Sequence, residues 1–257
     1  MRITEEIATK CDVLDLIIEE FLAAKNALDG SYRVYEAPFE ALNLFNLTIR
    51  HVEGVIALAR RDLVMLPPAE LAARAALESA VRAAWTMDPA DLFERESRWL
   101  AHLKTEEDTL SRAIRLGTSH GIDTADWQKQ LSSIKSFREA VASLLEARGY
   151  SANIAVPHLR DCLRSLGEER LYFEYMKFSQ IAHATHSGTG LYRSGLGTKK
   201  IQGEFVNADD WNFPVDICVF AFKIPGLRIL RQLGADVARL AEIFDHVIVP
   251  RTSKEHE

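Results

Sequence analysis

Apolar residues recur every three or four positions along most of the chain, which is the period of helices that bury one face. Thr4 is a good N-cap residue for the first of these runs. Pro67–Pro68 and Asp88–Pro89 mark two further helix starts, because proline is tolerated in the first turn of a helix. The pattern predicts helices over residues 4–30, 39–61, 69–87, 88–121, 127–149, 157–166, 168–186 and 227–247.

Two of these helices stand out by the distribution of their apolar residues. The helix over 168–186 is apolar or aromatic on two sides, which predicts a position at the centre of a bundle. The helix over 127–149 has the clearest amphipathic face in the chain. That face consists of Trp127, Leu131, Ile134, Val141 and Leu145.

The segment 187–212 breaks the helical pattern. It holds five of the thirteen glycines and a basic cluster of Arg193, Lys199 and Lys200. Connections of this length are usually functional or mobile. We expect an exposed functional loop that caps the polar end of the preceding helix and offers a phosphate or an acidic partner a local positive potential.

The composition agrees with a helical fold. Hydrophobic residues make up 47% and charged residues 26% of the 257 positions, and 13 glycines with 8 prolines are few for a turn-rich protein. The apolar run 215–222 fits either a strand or a buried helix, and we predict a helix that Pro225 kinks or ends. The predicted fold class is all-α: a single multi-helix bundle of seven to nine helices over 1–250, with one long glycine-rich loop at 187–212 and a polar tail at 251–257.

Net charge and cysteine content limit the kinds of partner and the cellular compartment that we expect. A net charge of −6 and a pI near 5.8 argue against bulk DNA binding. No stretch approaches the ~18 apolar residues of a membrane helix, so we expect a cytoplasmic protein without membrane association. Cys11, Cys162 and Cys218 are far apart in apolar surroundings, which predicts buried free thiols.

Polar side chains set into apolar helix faces are the best candidates for a site, because a buried charge needs a partner. Arg74 and Glu78 lie four residues apart on one predicted helix, so both can point inward; the alternative is an exposed ion pair. The helix over 168–186 presents four polar side chains on one face, Tyr175, Ser179, His183 and His186. Its histidines would serve as a general base, as metal ligands or as hydrogen-bonded core residues.

Missing motifs argue against several kinds of site. Di-metal bundles use Glu-x-x-His pairs, which this sequence lacks. Nucleophilic catalysis by Ser179 with His183 is not supported, because the sequence lacks a Gly-x-Ser-x-Gly elbow. It also lacks a phosphate-binding glycine motif, so Gly195–Lys200 is only a weak candidate for a phosphate contact. A third ligand for a metal at His183 and His186 would come from Glu78, Glu174, His120 or His158. We therefore predict no metal and no cofactor.

Two motifs resemble an uncharacterised group of bacterial all-helical proteins with Arg-x-x-x-Glu and Tyr-x-x-x-Ser-x-x-x-His helices. They lie at 74–78 and 175–183, and the resemblance covers about residues 35–190. That group is distantly similar to the HEPN superfamily, whose members include RNA-cutting toxins and phage-defence proteins that dimerise. The resemblance implies a bundle with a buried polar cluster of Arg74, Glu78, Ser179 and His183.

The HEPN superfamily brings together Arg-x(4 to 6)-His pairs, and the chain can be searched for them. Chance alone gives about two such pairs in a chain of this size, so the matches found are weak support. The best placed is Arg95 with His102, on the helix over 88–121. The four matches are Arg95 with His102, Arg115 with His120, Arg239 with His246, and Arg251 with His256.

Two hypotheses of function stand. In the first, the chain is a HEPN-like protein that acts in phage defence or in a toxin–antitoxin pair. It forms a homodimer and acts on RNA or a nucleotide through a polar site inside the bundle. His183 would then be the acid/base group, Arg74 the anion contact and Glu78 the group that orients them. The remaining binding residues would be Ser179, His186, Tyr175, Arg193, Lys199 and Lys200. In the second, the chain is a non-catalytic protein-interaction module whose buried cluster fixes helix register.

Overall fold

The computed structural model describes residues 1–195 and 199–247, and helices dominate them. The α-helices are α1 (Glu5–Asn26), α2 (Glu36–Arg61), α3 (Leu66–Met87), α4 (Leu92–Ser119), α5 (Ala125–Glu146), α6 (Leu159–Ser165), α7 (Leu171–Ala182), α8 (Asn212–Ala221), α9 (Leu227–Gln232) and α10 (Ala238–Val247). Within these residues the only strands are β1 (Arg193–Ser194) and β2 (Ile201–Gln202), an antiparallel pair. The predicted all-α fold is confirmed.

The centre of the bundle is α3, which packs against α2, α6, α7 and α8. Small side chains let neighbouring helices approach α3 on several sides, and thirteen of its residues are buried. Six of them are alanines, Ala69, Ala73, Ala76, Ala80, Ala83 and Ala84. The prediction that the helix over 168–186 lies at the centre is wrong. On α7 only Phe178 is buried, because its other apolar and aromatic side chains cover α3 from one side and remain partly exposed.

Short polar side chains set the starts of two helices. The hydroxyl of Thr4 accepts a hydrogen bond from the first turn of α1, as predicted, at 3.4 Å. The start of α4 lies slightly later than the Asp88–Pro89 signal indicates. The carboxylate of Asp91 accepts two backbone N–H groups of its first turn, at 2.9 and 3.0 Å.

The apolar run 215–222 is helical, as predicted, and it continues past the proline. A π-helical turn, Phe222–Gly226, joins α8 to α9. Pro225 lacks an N–H and its ring crowds the preceding turn, so the wider π turn lets the helix continue. Because α8 and α9 are continuous in this way, the described residues contain nine continuous helices.

The predicted last helix over 227–247 is two helices. Gly234 adopts a φ of +77°, a left-handed conformation that ends α9. The carboxylate of Asp236 then accepts the N–H of Ala238 at 3.0 Å and begins α10. The predicted tail at 251–257 lies outside the described residues.

Helices α4 and α5 form an antiparallel hairpin with little contact between α5 and the rest of the bundle. The predicted amphipathic face of α5 is its less exposed side, with Leu145 buried and Leu131, Ile134 and Val141 partly buried. This face packs on α4, and Trp127 at its start remains 38% exposed. Phe137 and Leu144, outside this face, are 47% and 59% exposed.

The segment 187–212 is only partly a loop. It contains a 3₁₀ turn, Gly188–Tyr192, the β1–β2 pair, and a second 3₁₀ turn, Ala208–Trp211. Trp211 is fully buried and its indole N–H donates to the carbonyl of Leu63 at 2.7 Å. The end of the segment is therefore part of the core, and only its first part fits the expected exposed loop.

Two other expectations concern thiols and membranes. Cys11, Cys162 and Cys218 are free and buried, as predicted. No helix among residues 1–195 and 199–247 combines the length and the apolar composition needed to cross a membrane.

Candidate functional site

A stripe of alternating charge runs along α3 through Glu70, Arg74, Glu78 and Arg82, each four residues after the last. This spacing places all four side chains on one face of the helix. Arg82 Nη2 lies 3.0 Å from Glu78 Oε1, and the two side chains are 30% and 32% exposed. This pair is therefore half-buried. The predicted alternative of an exposed Arg74–Glu78 ion pair is wrong in its partner, because Glu78 is paired with Arg82.

Tyr175 of α7 joins two members of this stripe. Its phenol oxygen accepts a hydrogen bond from Arg74 Nη2 at 2.7 Å, and the Arg74 guanidinium lies 4.8 Å from the ring centroid. The same hydroxyl donates to Glu78 Oε2 at a longer 3.5 Å. Three of the predicted site residues are thus brought together, across the α3–α7 contact.

A cavity of about 370 Å³ opens beside this contact, and we call it the α3–α7 pocket. Its charged wall is the Glu78–Arg82 pair, and its aromatic wall is Tyr172 with Tyr175, whose rings stack at a centroid distance of 5.8 Å. Its lining residues are Glu78, Arg82, Thr105, Val156, Pro157, His158, Leu159, Tyr172 and Tyr175. Arg74 does not line it, because Tyr175 lies between.

The imidazole of His102 lies close to Arg82 but does not line the pocket. His102 of α4 is hydrogen-bonded to the hydroxyl of Thr86 at 3.0 Å, and its ring packs edge-on against Trp85. Burial and, to a lesser extent, the charge of Arg82 lower the pKa of His102 to about 4. His102 is therefore neutral near pH 7 and serves as a hydrogen-bonded core residue.

Glu70, at the other end of the stripe, is a half-buried carboxylate that forms no ion pair with any of the residues 1–195 or 199–247. Burial raises its pKa to about 7, and the nearby carboxylate of Asp210 adds to the rise. Among the described residues, Glu70 Oε2 and Arg74 Nε are both buried without a hydrogen-bond partner. Such atoms are rare in folded proteins and are places where water or a ligand binds.

The predicted position of His183 inside the bundle is wrong. Helix α7 ends at Ala182, so His183 lies beyond its last turn, and the chain turns away directly after it at Ala184, which has a φ of +49°. His183 is exposed at the C-cap, and no hydrogen bond to Arg74 or Glu78 joins it to the cluster. Ser179 is also separate, because its hydroxyl donates to the carbonyl of Tyr175 within α7, at 2.9 Å.

The predicted basic loop residues lie apart from the α3–α7 pocket. The guanidinium of Arg193 contacts the ring of His186 at the start of the β1–β2 pair, and His186 is exposed. Lys199 and Lys200 are exposed as well, and residues 196–198 between them and Gly195 lie outside the described residues. None of these side chains lines the pocket.

Arg95 and His102, the best-placed HEPN-type pair, have structural roles within the bundle. Arg95 is 4% exposed and its Nε donates to the carbonyl of Pro89 at 2.6 Å, while its Nη2 donates to Gln232 at 2.5 Å. His102 is bound to Thr86 as described. Both members of the pair are thus engaged within the chain.

Sequence reasoning missed Arg82 and Tyr172 as site residues, and it considered His158 only as a third metal ligand. The four-residue period that starts at Glu70 marks Arg82, and Tyr172 precedes Tyr175 by one helical turn. His158 has no such signal, because it lies in the irregular segment before α6 and reaches the pocket through the tertiary fold.

No group of three or more His, Cys, Asp or Glu side chains that could hold a metal ion occurs in the part of the chain that the structure describes. Comparisons with protein-family models, with curated proteins and with solved structures found no match for this chain.

Proposed function

We propose that this protein binds a nucleotide, or the end of an RNA strand, in the α3–α7 pocket. The observation that carries the proposal is the convergence of the Glu78–Arg82 pair and the stacked Tyr172 and Tyr175 rings on one cavity of about 370 Å³. Small-molecule sites typically have volumes of roughly 300–1,000 Å³, with a few polar groups that fix orientation.

Each wall suits one part of a nucleotide. Arg82 donates from Nε and Nη2 to Glu78 Oε1, at 3.3 and 3.0 Å, which leaves Nη1 as the donor for a phosphate oxygen. Glu78 is the acceptor that a ribose hydroxyl or an exocyclic amine requires, and an aromatic side chain can stack on a base for about 1–3 kcal/mol. The role of anion contact, predicted for Arg74, therefore passes to Arg82.

The net charge of −6 favours this ligand over a long polyanion, because one Arg in a pocket acts at short range. The resemblance to the HEPN superfamily adds RNA as the substrate class and phage defence or a toxin–antitoxin pair as the cellular context. If the chain also cleaves RNA, His158 is the candidate acid/base group, since it is the imidazole that lines the pocket.

Isothermal titration with nucleoside 5′-monophosphates and a short 5′-phosphorylated RNA tests this proposal. We expect saturable binding that weakens by about tenfold or more in Arg82→Gln and in Tyr172→Ala. Arg50→Gln is the matched control, because Arg50 is 76% exposed and also pairs with a glutamate of its own helix. Equal binding by all four proteins would contradict the proposal.

For catalysis, RNA hydrolysis is compared between His158→Asn and His183→Asn. A loss confined to His158→Asn supports a catalytic site in the pocket. A loss confined to His183→Asn would assign catalysis to the exposed end of α7 instead.

A second candidate function, protein interaction, is favoured by the exposed side of α5. Phe137 and Leu144 are large apolar side chains that remain 47% and 59% exposed, although one side of the Phe137 ring packs edge-on against Trp99. They lie on one stripe at spacings of three, four and seven residues, and we call this stripe the α5 face. It consists of Asp126, Gln130, Ser133, Phe137 and Leu144, all exposed, and the exposed Arg148 follows it in the turn after the helix.

The α5 face is complementary to itself. Asp126 lies eleven residues before Phe137 and Arg148 lies eleven after it. Eleven helical residues return to within about 20° of the same direction. Arg148 lies in the turn after α5, where its guanidinium packs over the ring of Phe93. In an antiparallel pair of α5 helices centred on Phe137, Asp126 of each copy comes opposite this end of the other helix, so we propose a homodimer through this face.

A further inference from the structure

A second cavity lies away from the α3–α7 pocket and shares no lining residue with it. It has a volume of about 800 Å³ and lies between α1, the start of α7, and α8 with its π turn. We call it the α1–α8 cavity. A cavity of this size is within the range of sites that enclose most of a small ligand.

The walls of the α1–α8 cavity are mainly aliphatic and aromatic. They are formed by Val13, Leu171, Val215, Val219, Phe220 and Ile224. Val215 and Val219, like Phe220 and Ile224, are four residues apart, so α8 presents a continuous apolar surface along the cavity. Such a surface stabilises a hydrocarbon chain by about 25 cal/mol for each Å² removed from water.

Two of the cations at the rim are already neutralised. Lys10 Nζ lies 3.6 Å from both Glu6 and Asp216, and it also donates to Asn212. Arg170 Nε lies 3.5 Å from Glu168. Neither needs a ligand to balance its charge.

Lys223 is different. It is half-buried, it lines the cavity, and no ion pair or hydrogen bond joins its ammonium group to any of the residues 1–195 or 199–247. Its position is fixed by the π turn that Pro225 causes, and π turns inserted into α-helices are frequent at functional sites. An uncompensated cation beside an apolar wall is complementary to an anion that carries an apolar chain.

We propose that the α1–α8 cavity binds a long-chain carboxylate of the fatty-acid type, with its carboxylate on Lys223 and its hydrocarbon chain along Val13, Val215 and Val219. The carboxylate supplies the charge that Lys223 lacks, and the chain fills the apolar part of the cavity. This site is independent of the nucleotide proposal, because the two cavities have separate linings.

The test is titration calorimetry with dodecanoate below its micellar concentration, at pH 8, with dodecan-1-ol as the neutral probe of equal chain length. We expect one dodecanoate per chain, and about tenfold weaker binding of the alcohol. Lys223→Gln should weaken dodecanoate binding by about the same factor and leave binding of the alcohol unchanged. Lys135→Gln is the matched control, an exposed lysine on α5 that undergoes the same change in charge.

Val219→Glu and Val13→Glu place a carboxylate in opposite walls and should each abolish dodecanoate binding while circular dichroism shows an unchanged helical fold. Because the two substitutions lie in different walls, one variant still tests the proposal if the other does not fold. Arg82→Gln should bind dodecanoate as the unaltered protein does. The proposal is overturned if dodecanoate does not saturate at one site, if the alcohol binds equally well, or if Lys223→Gln binds dodecanoate unchanged.

Discussion

The guanidinium of Arg74 donates a 2.7 Å hydrogen bond to the phenol oxygen of Tyr175 and so links α3 to α7 across 101 positions of sequence. The contact holds Tyr175 in the wall of the α3–α7 pocket and separates Arg74 from it. Arg74 is thus a residue that positions the pocket wall, while Arg82 is the cation that a ligand can reach.

Tyr175→Phe removes the hydroxyl that satisfies Arg74 and leaves the ring in place. Because a half-buried guanidinium then loses a partner, we expect the free energy of unfolding to fall by about 1–3 kcal/mol. Urea unfolding measures this. Tyr192→Phe is the control, since Tyr192 is 44% exposed, and it should change stability little. Equal stability of Tyr175→Phe and the unaltered protein would show that the hydrogen bond contributes nothing.

Glu70 should make the protein less stable as pH rises. Its pKa is about 7 in the folded chain against 4.5 for an ordinary glutamate, so folding favours the protonated form. The favourable contribution is complete below pH 4.5 and is lost as pH rises through 7. Glu70→Gln should therefore unfold less readily than the unaltered protein at pH 8, by about 1–2 kcal/mol after solvent screening, and show no gain at pH 4.5. Thermal unfolding at both pH values decides; a constant difference would refute the assignment.

Gly226 occupies a position where no side chain fits. A Cβ there would lie 2.8 Å from the ring of Phe45 and 3.3 Å from that of Phe21. We expect Gly226→Ala to lower the free energy of unfolding by about 1–3 kcal/mol, because both rings are fully buried. Gly30→Ala is the matched control, since nothing lies within 4 Å of its Cβ. Similar stability of the two variants would mean that the π turn packs more loosely than described.

The α5 face predicts how a dimer responds to charge. In sedimentation velocity, Phe137→Glu should give monomers, and so should Asp126→Arg, which sets like charges opposite each other. The double variant Asp126→Arg/Arg148→Asp restores opposite charges and should restore the dimer. Leu47→Glu, at a residue of α2 that is 53% exposed, should leave it intact. A monomeric unaltered protein, or a double variant that stays monomeric, would rule out this interface.

The helices could be predicted from sequence because their signals are local. The apolar period of α1 to α4 and the start signals before them depend on neighbours within a few turns. Which helix lies at the centre could not be predicted, because the alanines of α3 gain their role only when several helices pack on them. Likewise the period shows where α5 is amphipathic but not what covers it.

The site was predicted in part for the same reason. Arg74, Glu78 and Tyr175 meet because each sits on a regular helix whose face the sequence defines. His183 does not join them, because α7 ends at Ala182. The left-handed residue after this helix end is Ala184 rather than a glycine, so the sequence carries no signal for it. His158 belongs to an irregular segment, whose position depends on long-range packing alone.

The most direct measurement for the nucleotide proposal is a thermodynamic cycle. It compares the binding of AMP and of adenosine to the unaltered protein and to the Arg82→Gln variant. If Arg82 binds the phosphate, the unaltered protein should bind AMP about tenfold or more tightly than adenosine, and Arg82→Gln should bind the two ligands with similar affinity. The two proteins should differ little in their affinity for adenosine, because the base stacks on Tyr172. An AMP preference of equal size in both proteins would contradict the account.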